Sequence, residues 1–240
     1  MSNTELVRAN ILTEALPYIQ RYNGKTVVIH WGDEAPSGQE VGEAMASDLT
    51  MLRLVGIQVV LVLSAGCPFQ TRLVAALNRA GSRAVGLTGV DGGSIVAQDG
   101  SIVRVNGGLL SDCLAQGYTP VVTAQALCED GSVCPVDGDS AAGKLAVALK
   151  AEKLIHLLAK EQLLKDSAEA QGPVPVLNLS RVPALIRSGV IPADMAGKVN
   201  ASVEAVRSGV TSATLLDGGV PHAILLELLS DAGIGTMLTH

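Results

Sequence analysis

Aromatic side chains are scarce in this chain: one Trp, one Phe and three Tyr among 240 residues. With 48% of the residues apolar, the core must be built from aliphatic side chains. Cysteine and histidine are also few, four of each. Cys67, Cys113, Cys128 and Cys134 show no CxxC spacing, so they read as reduced thiols of a cytoplasmic protein, and no metal site is expected. Basic residues are outnumbered, and a net charge of −6 excludes the basic stripe of a nucleic-acid binder. No apolar run is long enough to cross a membrane: Gln58 and Ser64 bracket the greasiest stretch, Val59 to Leu63. The N-terminus is polar and then amphipathic, unlike a secretory leader.

What is present alternates strand-like and helix-like segments along the chain. Thr26 to Ile29 is a β-branched run, as in a parallel strand covered on both faces. It is expected to end at His30-Trp-Gly-Asp33, and ligands of open α/β sheets bind where such strands end. Ahead of it, Leu6 to Tyr22 reads as an amphipathic helix kinked at Pro17. It can pack on its own domain or on a neighbouring subunit.

Downstream, helices are expected at 40–54, 71–80, 109–116, 139–151, 182–188, 194–208 and 221–230. Strands are expected at 57–63, 84–87, 119–123, 153–158 and 212–216, with 236–238 as a last edge strand. Two hairpins interrupt the pattern, one turning at Asp99-Gly100 and one at Glu129-Asp-Gly131. Asp139 or Ser140 can cap the helix that starts there. The polar stretch 165–172 reads as a mobile loop. The fold class that follows is α/β, a three-layer α/β/α sandwich around a mainly parallel sheet.

Several of these segments, in this order, resemble N-acetyl-L-glutamate kinases of the arginine-inhibited hexameric type. They are Ile11-Leu-Thr-Glu-Ala-Leu-Pro-Tyr-Ile-Gln20 with Gly24-Lys-Thr-Val-Val-Ile29, Ala84-Val-Gly-Leu-Thr-Gly89, Ala142-Gly143 with Ala148-Leu-Lys-Ala-Glu-Lys-Leu154, and Val220-Pro-His-Ala-Ile-Leu-Leu-Glu227 ending in Gly233-Ile-Gly-Thr-Met237. The resemblance covers the whole chain. It implies the amino acid kinase fold, with residues 1–145 as the acyl-substrate and dimerisation lobe and 146–240 as the nucleotide and effector lobe of one compact unit. It also implies transfer of the ATP γ-phosphoryl group, with Mg2+, to the carboxylate of an N-acetylglutamate-like acid in arginine biosynthesis.

The same resemblance assigns site residues. His30 stands where relatives carry a catalytic lysine, and Lys198 matches the nucleotide-side lysine, although it can equally be a surface residue. Gly32 and Gly66 belong to the two phosphate-binding turns, where Asp33, Ala65 and Cys67 replace glycines. Asp137 and Asp139 occupy a substrate-binding Asn-Ala-Asp motif, with Asp139 open to a second reading as a helix cap. The carboxylate that organises the cations falls on Ala159, beside Lys160, and a substrate-binding arginine has no counterpart. Tyr18, Glu227 and Gly233 match positions of the arginine effector site, with Thr214 in place of a histidine.

Phosphoryl transfer relies on positive charge around the moving group, so these substitutions predict weak or absent turnover. The alternative is a catalytically inactive regulatory or assembly subunit that senses arginine or another small ligand. In either case a homodimer or hexamer is expected, with an active paralogue as a further possible partner.

Overall fold

The computed structural model describes residues 3–33, 39–159, 176–231 and 233–240. Two sheets organise them. The larger has eight strands in the order β10-β12-β11-β9-β1-β2-β6-β3. Its middle is β1 (Thr26–Trp31), flanked by β2 (Gln58–Leu63) and β9 (Lys153–Leu158), both parallel to it. Beyond these lie β6 (Thr119–Thr123) and β3 (Ala84–Thr88) on one side and β11 (Ser212–Asp217) on the other, all parallel. Every residue of β9 and β11 is buried, as strands covered on both faces must be.

The period of two sorts side chains onto two cores. Val27, Ile29 and Trp31 of β1, with Leu61 and Ile155, meet α2 (Gln39–Leu54), α3 (Gln70–Arg79), α8 (Ala223–Leu229) and the end of α1 (Asn3–Tyr22). Val28, with Val60 and Leu154, meets α4 (Gly108–Ala115), α5 (Gly138–Ala148) and α7 (Ala196–Arg207). The result is the expected three-layer sandwich.

The smaller sheet, in the order β5-β4-β7-β8, holds both expected hairpins. In the first, β4 (Ile95–Gln98) and β5 (Ser101–Val105) join through Asp99 and Gly100, both with positive φ. That turn matches the twist of paired strands and suits an Asp-Gly sequence. The second, β7 (Gln125–Cys128) with β8 (Val133–Pro135), begins three residues earlier than its sequence suggests.

Three expectations need correction. β1 does not stop before His30; it runs through Trp31, because His30 pairs with Val62 and His156 and Trp31 packs on Phe69. β12 (Thr236–Thr239) is not an edge strand. It lies between antiparallel β11 and parallel β10 (Val176–Asn178), a three-residue strand too short to carry a periodic signal. Finally, neither Asp139 nor Ser140 caps α5. Asp137 does, its carboxylate accepting from the Ser140 N–H at 2.8 Å from an extended backbone position. Helix α1 continues through Pro17, and α6 (Val182–Arg187) follows β10. The segment 165–172 and Lys160 lie outside the described residues.

Candidate functional site

Two adjacent strands end in the same way. Val28-Ile29-His30 of β1 and Leu154-Ile155-His156 of β9 are paired residue for residue, so His30 lies directly beside His156. Alternation turns both rings toward the face covered by α5 and α7. Capping by Asp137 fixes where α5 begins, and this places Asp139 in the first turn, where the helix dipole favours a carboxylate. Asp139 is buried and points inward. Its Oδ1 is 2.9 Å from His30 Nδ1 and 3.2 Å from His156 Nδ1, and its Oδ2 is 3.1 Å from Lys198 Nζ on α7.

Four ionisable groups from four elements thus meet at the carboxyl ends of the central strands. Burial works against the charge of Asp139, but His156 and His30 beside it prevail and hold its carboxyl well below the usual carboxylate range. Burial pushes the His156 imidazole down, Asp139 opposes that shift, and His30 and Lys198 add to it. The charged form of His156 is therefore disfavoured, and the formal charges of Asp139 and Lys198 oppose one another.

Glycine makes room for the cluster. A Cβ on Gly138 would lie 2.6 Å from His30 Nε2, so a side chain there meets the ring head on. A Cβ on Gly32 would stand 3.9 Å from Lys198 Nζ, which puts the first turn's backbone next to that ammonium. Gly66 differs. Its φ is +71° and the space around it is open, so backbone conformation rather than packing requires glycine there. Next to it, burial raises the Cys67 thiol pKa, with Asp33 adding to the effect.

The structure brings His30, Gly32, Asp139 and Lys198 together and sets Asp137 aside as a cap. Lys198 is a buried residue with an acid partner, not a surface lysine. The carboxylate that meets Lys198 and the two rings is Asp139, supplied by the first turn of α5. His156 was missed. The signal available for it was the repeated aliphatic-Ile-His ending of the two strands.

The expected effector residues have different partners. The Tyr18 hydroxyl bonds Asp231, which raises its pKa, and Gly233 is exposed nearby in sequence. Glu227 lies on α8. It forms a buried ion pair with Lys153 Nζ at 2.7 Å and accepts from the Thr214 hydroxyl at 2.9 Å. Its carboxylate is already occupied, by a lysine from the start of β9.

Comparison with known proteins locates this arrangement. The family model described as "Amino acid kinase family" matches residues 67–217. The chain belongs to the amino acid kinase family. It is 34% identical to the acetylglutamate kinase of Clostridium beijerinckii, covering 99% of each chain, and 36% identical to that of Parasynechococcus marenigrum, covering 99% and 97%. The first alignment extends over 285 positions, so that relative has segments without counterpart in these 240 residues.

Among solved structures, an N-acetylglutamate synthase from Neisseria gonorrhoeae, complexed with coenzyme A and N-acetyl-glutamate, superposes with a TM-score of 0.84 at 20% identity. The match covers 97% of this chain and 63% of the synthase, so the chain spans less than two thirds of that protein. Carbamate kinase of Giardia lamblia bound to AMP-PNP follows at 0.66 and 16% identity, covering 90% and 98%. At these identities the likeness concerns the fold. Among the described residues no helix is long and apolar enough to cross a membrane.

Proposed function

We propose that this chain transfers the γ-phosphoryl group of ATP to the carboxylate of an N-acylated acidic amino acid, N-acetylglutamate being the reference substrate, at a low rate. The observation that carries this reading is Lys198, a buried ammonium held 3.1 Å from Asp139 and next to the backbone of Gly32. An ammonium oriented at a glycine turn, at the ends of parallel strands, is what a transferred phosphoryl group requires. ATP enters as its magnesium complex. The amides at Gly32 and Gly66 approach phosphate oxygens, Lys198 neutralises charge gathering on the moving group, and His30 donates from Nε2. Residues 1–145 hold the acid and 146–240 the nucleotide.

The rate is low because a ring stands where relatives carry an ammonium. Removing one charge-stabilising group from such a site costs about two to three decades in rate. Hydroxylamine trapping of acyl phosphate, with ATP and N-acetylglutamate, tests the reading. Wild-type protein forms hydroxamate slowly, Lys198→Ala forms none, and His30→Lys forms it faster by about tenfold or more. Absence of hydroxamate together with absence of ATP binding by calorimetry refutes it.

One observation favours the second reading, an assembly subunit without turnover. Helix α1 leaves two large apolar side chains in solvent, Ile11 and Leu16, 58% and 48% exposed, and another copy or an active paralogue could cover them. Arginine sensing through Glu227 has less support, since Lys153 occupies that carboxylate.

A further inference from the structure

Among the described residues, His30, Asp139 and His156 form a buried group able to surround one ion. His30 Nδ1 and His156 Nδ1 are 3.2 Å apart, and Asp139 Oδ1 is 2.9 Å and 3.2 Å from them. Three donors about 2.1 Å from a common ion stand about 3.0 Å apart at right angles and about 3.4 Å apart in a tetrahedron. Two edges, at 3.2 Å, fall in that range and the 2.9 Å edge lies just below it. We propose that these three atoms bind a divalent transition ion of borderline softness, of the Zn2+ or Co2+ class.

Hydrogen bonding alone leaves this cluster poorly satisfied. One imidazole N–H is shared between the two Nδ1 atoms. Asp139 Oδ1 is buried and close to both rings, yet it receives no well-aligned N–H from either. The far nitrogens, His30 Nε2 and His156 Nε2, are buried and unpartnered too, so neither ring is anchored through its outer edge.

An ion at the centre of the triangle satisfies Oδ1 and both Nδ1 atoms at once. The proton shared between the two Nδ1 atoms moves to the Nε2 of its own ring, so both rings stay neutral and each Nε2 carries a proton. On His30 that N–H faces Gly138, beside the first glycine turn. Lys198 stays on the other oxygen of the same carboxylate and limits affinity by repulsion. Two imidazoles and one carboxylate suit first-row transition ions, whereas Mg2+ prefers an oxygen shell. Three protein ligands leave at least one position for water or an anionic oxygen. The substitution of a ring for an ammonium at residue 30 then exchanges a fixed positive charge for one that the site acquires from solution.

The site is tested without substrate, so its failure and that of the kinase reading remain distinct. Chelator-treated full-length protein is titrated with Co2+ and followed by its visible ligand-field absorption. One equivalent binds, Zn2+ displaces it, and His156→Gln and Asp139→Asn each weaken binding by tenfold or more. Cys128→Ser/Cys134→Ser leaves the spectrum unchanged. Because a cluster variant can fail to fold, the wild-type protein carries a second readout. The chain has four histidines, and nitrogen NMR of their imidazoles shows two Nδ1 resonances moved by Zn2+. Binding absent at millimolar Co2+, a thiolate charge-transfer band, or shifts confined to His222 and His240 overturn the proposal.

Discussion

At residue 138 the site depends on a missing methyl group. Gly138→Ala puts a Cβ 2.6 Å from His30 Nε2, and the ring can yield only by leaving Asp139 and His156. Overpacking of this kind costs about 1–3 kcal/mol. We expect a melting temperature lower by several degrees, read by calorimetry, and a larger fractional loss of any turnover. Wild-type stability in Gly138→Ala would show that the ring has room to move. Only part of this was legible in sequence. His30, Gly32, Asp139 and Lys198 stood out by resemblance, but nothing in their order states that Asp139 lies between the ring and the ammonium. His156, 126 positions from His30, became visible only through strand pairing. Asp137 showed the reverse. Its place in a substrate motif drew attention, whereas its cap depended on an extended φ/ψ pair that sequence does not specify.

Between elements, two polar joints secure α8 to the rest. Lys153 of β9 meets Glu227 of α8 inside the protein, with Thr214 of β11 completing the carboxylate's bonding. A buried pair contributes little beyond an apolar replacement, but breaking it strands a charge at about 3–5 kcal/mol. Glu227→Ala should therefore lower unfolding free energy by that amount in a urea titration. Lys153→Met/Glu227→Leu together should recover most of the loss. A single variant as stable as wild type would mean that water reaches the pair.

The second joint lies between α2 and the start of α8. Asp48 is buried and 2.6 Å from His222 Nδ1. Burial raises the Asp48 pKa above its usual value, and His222 only partly offsets this. A carboxyl whose folded pKa is raised binds its proton more tightly in the native state. Its contribution to stability is present at low pH and is lost as pH rises through the folded pKa. Asp48→Asn removes that ionisation, so the variant should gain on wild type at pH 7–8, and the gain should vanish near pH 4. A pH series of melting temperatures decides it, and a constant difference would rule out Asp48 as the cause.

For the molecule as a whole, α1 raises the open question. It packs its end against the layer containing α8, with Tyr22 buried, while Ile11 and Leu16 face water. Exposed aliphatics on a long terminal helix suit self-association, and we expect a dimer or higher assembly in sedimentation. Ile11→Glu/Leu16→Glu should shift it to monomer without changing the melting temperature of the protomer by more than a few degrees. A wild-type monomer at tens of micromolar would remove α1 as an interface.

The local pattern of residues was enough for the layers. β-branched runs separated by amphipathic segments can bury their apolar faces only as a sheet between helices, and the Asp-Gly turns demand positive φ. Strand order, the interior place of β12, and the meeting of His30, Asp139, His156 and Lys198 were decided by tertiary structure alone. They depend on which strands pair and which helix turn lies over them, and these are contacts between residues far apart in the chain that leave no local periodicity to read.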